Sequence, residues 1–117
     1  MMVARQGVER TDIGYCITAS LRCQAACEAG MERLASQGYA ADSDAVRLLR
    51  QCAELCELNA RALQKESKLA KRTASICFEL SNQVARAAWL DASDASATLA
   101  KDALHLARAC KPILFSH

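Results

Sequence analysis

Seven cysteines are spread along the chain: Cys16, Cys23, Cys27, Cys52, Cys56, Cys77 and Cys110. In the stretch CITASLRCQAACEAGM, from Cys16 to Met31, three of them follow one another at intervals of seven and then four residues. Such intervals place side chains on one side of a helix. Cys52 and Cys56 repeat the four-residue step in RQCAELCELNARAL. Residues four apart on a helix have Cβ atoms roughly 5–6 Å apart and packed helices lie roughly 8–10 Å apart, so facing pairs can surround one ion. Thiolate sulfur is a soft ligand that selects Cu(I), Zn(II) or iron–sulfur clusters.

The donor set favours Cu(I) among these. Structural zinc takes four tetrahedral ligands, often from short cysteine knuckles with histidine. Here the C-x-x-x-C pairs lie in helical segments and no histidine shares their seam. Cu(I) accepts two or three sulfurs, with zinc kept as the second metal. An odd cysteine count, in a chain expected in the reducing cytosol, points to free thiols or metal thiolates rather than to disulfides.

Four helical segments must position these thiols. The first, over about 12–37, carries Ile13, Cys16, Ser20, Cys23, Cys27, Met31 and Leu34 on one seam, with Thr11 or Asp12 as cap and Gly38 at the turn. The second, over about 43–65, puts Val46, Leu49, Cys52, Leu55, Cys56, Asn59 and Leu63 on one face, with Asp42 or Ser43 as cap. The third, over about 68–90, lines up Leu69, Thr73, Ile76, Cys77, Leu80, Val84, Ala87 and Ala88 after a turn near Ser67. The fourth, over about 94–111, follows the cap-forming Asp91, Ser93 and Asp94 and carries Leu99, Ala103, Leu106, Cys110 and Ile113. Pro112 is expected to fray its end. The predicted fold is all-α, an antiparallel up-down-up-down four-helix bundle forming a single domain over residues 1–117.

Composition agrees with that fold. The chain is 52% apolar but holds only one Trp, two Tyr, two Phe, one Pro and four Gly, which favours closely packed helices. Fifteen basic and thirteen acidic residues alternate without blocks, so neither nucleic acid nor an anionic membrane is an expected partner. No run approaches the roughly 18–20 apolar residues of a membrane span, and MMVARQGVERTD lacks a signal-peptide core, so a cytoplasmic location is expected.

Counting outward from the turns compares thiol heights. From a turn near Ala40, Cys27 is level with Cys52 and Cys23 with Cys56; from a turn near Ser67, Cys56 is level with Cys77. From a turn near Ala92, Cys77 and Cys110 differ by only ~5 Å. Six thiols, Cys23, Cys27, Cys52, Cys56, Cys77 and Cys110, are therefore expected in one mid-bundle layer as metal ligands. Cys16, about 10 Å below Cys23, is expected to have no sulfur partner.

The paired cysteines of the first two segments, the following Ser67, SICFEL and LARACKP together resemble the cysteine-rich four-helix-bundle copper storage proteins, over about residues 12–113. The resemblance implies a cytosolic protein that packs Cu(I) thiolates down a bundle lumen, commonly as a homo-oligomer. This chain departs from the turn-after-turn cysteine pattern of that family at Ser20, Met31, Leu80, Val84, Ala87, Leu99, Ala103 and Leu106. The expected function is Cu(I) binding, storage or buffering of reduced capacity. A metal-free helical scaffold or oligomerisation protein, or a thiol redox sensor, is the alternative.

Other chemistry finds little footing. Asp102-x-x-His105 has ligand spacing, yet carboxylate-bridged bundles need partner Glu residues and a second Glu-x-x-His, and His105 is turned away from Cys110. A packing role is expected for His105 and a gap-filling one for Met31, while Asn59 could line the lumen or fix register. With no phosphate loop, nucleophile elbow or paired seam carboxylates, no enzymatic activity is expected. Trp89, Leu90 and Phe115 near helix ends are candidates for cover by a second copy of the chain.

Overall fold

The computed structural model describes residues 9–87 and 93–115. They form four α-helices: α1 (Arg10–Ser36), α2 (Asp44–Gln64), α3 (Ala70–Ala85) and α4 (Asp94–Leu114). Each helix packs against its two neighbours around a square, α1 on α2 and α4, α3 on α2 and α4. The buried face of α1, Cys16, Ala19, Ser20, Cys23, Cys27, Gly30 and Leu34, follows the expected seam. Facing it, α2 buries Val46, Leu49, Cys52, Cys56, Asn59 and Leu63.

The helix ends follow local chemistry. Ser43 and Ser93 cap α2 and α4, each accepting a hydrogen bond from the backbone three residues on, Val46 at 3.4 Å and Ser96 at 3.2 Å. Instead of a capping Thr11 or Asp12, α1 starts after Glu9 with no side-chain cap, and both residues lie inside its first turn. Asp12 there still faces the positive end of the helix dipole. Gly38, at φ 93°, ends α1 in the left-handed region, with Tyr39 N–H donating to Leu34 C=O at 3.0 Å. The same closure ends α2, where Ser67 N–H donates to Ala62 C=O at 2.9 Å and Glu66 takes φ 52°.

Three expectations are corrected. First, α3 begins at Ala70 and stops at Ala85, short of the expected range, and Arg86 and Ala87 are not helical. Val84 is its last fully buried residue. The expectations for Ala88, Trp89, Leu90 and Asp91 lie outside the described residues. Second, Ile76 and Leu69 are 46% and 57% exposed, because Ile76 sits about 100° around the helix from the buried Cys77. Ala74 and Ser81 take the inner face with Thr73, Cys77 and Val84. Third, α4 runs through Pro112 to Leu114. Proline removes one donor, while Ile113 beyond it is buried and holds the last turn against the core.

Toward the α1–α2 turn, apolar side chains close the lumen. A Cβ built on Gly30 would lie 3.0 Å from Leu49 Cδ1 and 3.4 Å from Leu99 Cδ2, so glycine lets these leucines reach the α1 backbone. Phe115 is 75% exposed at the end of α4.

A residue with a Cβ is strained at the left-handed position that Glu66 occupies, by about 1 kcal/mol or more. Glu66→Gly is expected to raise stability by up to about 1 kcal/mol, after allowance for glycine's greater unfolded-state entropy. Urea unfolding of the reduced protein checks this, and a lowered midpoint would contradict the assigned turn.

Candidate metal centre

Every cysteine faces the core, and all seven are fully buried free thiols. In the middle of the bundle, α1 supplies Cys23 and Cys27 one turn apart and α2 supplies Cys52. The sulfurs of these three residues all lie within 4.8 Å of one another, with Cys23 and Cys52 at 4.0 Å. Three metal–sulfur bonds of about 2.3 Å in a trigonal plane set sulfurs about 4 Å apart, close to this spacing. No other group of three or more Cys, His, Asp or Glu donors converges among the described residues.

Cys56 and Cys77 continue this array downward. The Cys56 thiol interacts with those of Cys23, Cys52 and Cys77. Cys77, from α3, also donates to the Leu55 carbonyl oxygen at 3.2 Å. The expected neighbours from α1, α2 and α3 are therefore brought together.

Cys110 is not in that layer. Its sulfur lies 4.0 Å from Cys16, so Cys16 does have a sulfur partner, contrary to expectation. Placing the third turn near Ala92 caused the error. Counted from the ends of α3 and α4, Cys110 lies eight residues further along its helix than Cys77 does, while the charges of Cys77 and Cys23 still act on it. That displacement carries it to the level of Cys16. In place of a mid-layer thiol, α4 gives the core Leu99, Ala103 and Leu106.

A polar clasp borders the Cys16–Cys110 pair. Asn59 Nδ2 donates to Cys16 Sγ at 3.7 Å and to Ser20 Oγ at 3.1 Å, while Thr73 Oγ1 donates to Asn59 Oδ1 at 2.7 Å. Ser20 in turn donates to the Cys16 carbonyl at 2.8 Å. Asn59 thus joins α1, α2 and α3, which resolves its role as a register contact beside the thiols. The available sequence signal was polar residues on three seams, each within about one turn of a cysteine. Gly30 and Ser81 carried no comparable signal. Met31 is partly buried against the core, and His105 packs edge-on against Tyr15 with ring centroids 5.0 Å apart. The position of His117 lies outside the described residues.

Close packing polarises the thiols. Hydrogen bonds from Cys23, then Cys27 and Cys56, favour the thiolate at Cys52 and hold its pKa below the ordinary thiol value. The same sharing, first with Cys23 and then with Cys52, pushes Cys27 up, and burial adds to the effect. Cys56 is raised by Cys23, Cys52 and Cys77. In the second pair, the Cys110 hydrogen bond lowers Cys16 against the opposing effect of burial, with smaller help from Asn59 and Ser20, while Cys110 is raised by Cys16. Each group can carry one thiolate readily, and further ionisation meets repulsion that a cation would relieve.

Comparison with known proteins identifies the class. The family profile described as copper storage protein, Csp, matches residues 9–115. The chain belongs to the copper storage protein family. The solved structure "Cu(I)-bound Copper Storage Protein BsCsp3" is similar to it, with a TM-score of 0.69 and 24% identity over 88% of this chain and 98% of that one. No curated protein sequence matches. No helix among the described residues is long and apolar enough to cross a membrane.

The raised thiols make stability of the reduced, metal-free protein pH-dependent. Above the ordinary thiol value of 9.0 the unfolded chain releases protons that folded Cys27, Cys56 and Cys110 retain, so stability falls as pH rises. The decline steepens with the number of such groups. Anaerobic urea unfolding between about pH 8 and about pH 11 measures it, with Cys27→Ser expected to show a shallower decline.

Proposed function

We propose that this chain binds Cu(I) through its core thiolates as a low-capacity cytosolic copper store or buffer, with Cys23, Cys27 and Cys52 as the principal centre. The observation that carries this reading is the convergence of three buried sulfurs within 4.8 Å in a member of the copper storage family. Cys56 and Cys77 extend the centre, with their sulfurs shared between neighbouring ions. The similar solved structure is that of a Cu(I)-bound protein. Neither histidine nor carboxylate joins the three-sulfur group, which suits Cu(I) coordination better than tetrahedral zinc.

The chain acts by holding metal, without an enzymatic step. A soft cation enters the thiol group, thiol protons leave, and the resulting thiolates share the positive charge. Apolar residues around the group exclude water and limit release. Leu99, Ala103 and Leu106 restrict the volume for metal, which is the basis for reduced capacity. The complete burial of all seven thiols disfavours a redox sensor, which needs access to oxidant. Homo-oligomerisation is supported by exposed Leu58 on α2, Ile76 on α3 and Leu69 just before α3.

Anaerobic titration of the reduced full-length protein against a chromogenic Cu(I) chelator tests the proposal. The protein is expected to withdraw Cu(I) at micromolar concentrations, and Cys23→Ser/Cys27→Ser/Cys52→Ser is expected to lose most of that capacity. Failure of the unsubstituted protein to withdraw any Cu(I) would leave the metal-free scaffold as the reading that fits.

A further inference from the structure

We infer that the groove between the end of α2 and the start of α3 is a docking site for an acidic amphipathic helix of a partner protein, with one apolar residue of that helix between Leu58 and Leu69 and its carboxylates on Arg61 and Lys65. The inference goes beyond Cu(I) binding and does not depend on it.

Shape limits the occupant. Leu58, Ala62, Leu69 and Thr73 line a space of about 200 Å³. A cavity of about 150 Å³ holds a benzene-sized group, whereas pockets for small molecules run from about 300 to about 1,000 Å³. The groove therefore suits one large apolar side chain rather than a whole small ligand. Leu58 and Leu69 are exposed on its walls, while Ala62 and Thr73 are buried beneath them. The wall at Leu69 is held in place, since its N–H donates to Ser67 Oγ at 3.0 Å and the Ser67 N–H donates to Ala62 C=O at 2.9 Å. A preformed wall lowers the ordering cost of binding.

Charge selects the partner. From Arg61 to Arg72 the chain carries five basic residues, Arg61, Lys65, Lys68, Lys71 and Arg72, against one acidic residue, Glu66, all of them exposed. Spaced singly in sequence, they are gathered by the turn between two helices, and they hold more positive charge than the whole chain at +2. Arg61 pairs with Glu57 at 2.9 Å, but both are exposed, and such a pair is exchanged at little cost. Two copies meeting through this groove would set like charges together; Ile76, outside it, stays available for contact between copies. Single-stranded nucleic acid stacks on aromatic side chains, and none lines the groove. A flat anionic bilayer leaves a concave groove unfilled. An acidic helix satisfies both shape and charge, with an apolar anchor in the groove and carboxylates one turn to either side of it.

The groove also touches the polar clasp. Thr73 Oγ1, at its floor, donates to Asn59 Oδ1, and Asn59 Nδ2 donates to Cys16 Sγ. A docked helix lies against the outer side of this chain of hydrogen bonds, so its presence is felt at the Asn59 amide.

NMR titration of the reduced, isotope-labelled full-length protein with a synthetic amphipathic helix, Leu on one face and Glu on its flanks, tests the site. Micromolar binding is expected, with shifts at Leu58, Ala62, Leu69 and Thr73 and at the Asn59 side-chain amide, and with affinity falling as salt is added. Leu69→Asp and Arg61→Glu/Lys65→Glu are each expected to weaken binding about tenfold, through loss of the apolar contact and of the charge match respectively. These positions are exposed, so unchanged helicity of the variants is expected and is checked by circular dichroism. Absence of binding at millimolar peptide, shifts elsewhere on the bundle, or equal binding of the same peptide with Lys in place of Glu would overturn the docking site. So would phosphatidylserine vesicles that bind through Leu69 where the peptide does not, or a dimer abolished by Leu69→Asp, which would assign the groove to a second copy. Cu(I) plays no part in these measurements, so their failure leaves the proposed function standing.

Discussion

The buried amide of Asn59 fixes the relative placement of three helices, and the thiol geometry depends on that placement. A helix seam of Ala, Leu and Cys tolerates sliding by a turn, because one small apolar side chain replaces another with little penalty. An amide does not slide freely. Burial without partners costs about 1–3 kcal/mol, and the Asn59 donors and acceptor find partners on α1 and α3 only in the observed register. Among the described residues, no buried side-chain nitrogen or oxygen is left without a hydrogen bond. A single polar contact of this kind is a known means of specifying register in helical assemblies.

With the register held, cysteine acts in two ways. As a small polarizable side chain it packs the core as Ala or Val would. As a potential thiolate it offers charge once a cation arrives. Its dual nature lets a binding centre be stored inside an ordinary core. Shared thiol hydrogens hold Cys52 and Cys16 toward the thiolate form while raising Cys27, Cys56 and Cys110. Metal binding replaces that shared-proton arrangement with sulfur–metal bonds.

The lumen is also divided by what is not sulfur. Leu49 and Leu99 approach Gly30 above the principal centre, and Leu106 and Ala103 occupy the α4 side of the core. Below lies the Ser20–Asn59–Thr73 clasp. Copper capacity in a bundle of this kind is set by which lumen positions present sulfur and by whether those positions fall at the same height. Only clusters of adjacent levels can share thiolates between ions.

The sequence alone determined the four helices, their short connections and the inward-facing thiols, because helical periodicity and turn chemistry act over a few residues. Gly38, Ser43 and Ser93 were legible as turn or cap residues for this reason. The adjacency of Cys23, Cys27 and Cys52 was legible too, since α1 and α2 are joined by a short turn that leaves little freedom in height. Only the tertiary structure decided the partner of Cys110. Its height depends on where α3 stops and α4 starts, and no Gly or Pro in the sequence marks the first of these. Counted from the helix ends, Cys110 lies eight residues further along than Cys77, which brings its sulfur to Cys16. The outward rotation of Ile76 has a related cause: neighbouring residues about 100° apart cannot both face a narrow lumen, and packing of α3 against α2 and α4 selected Cys77.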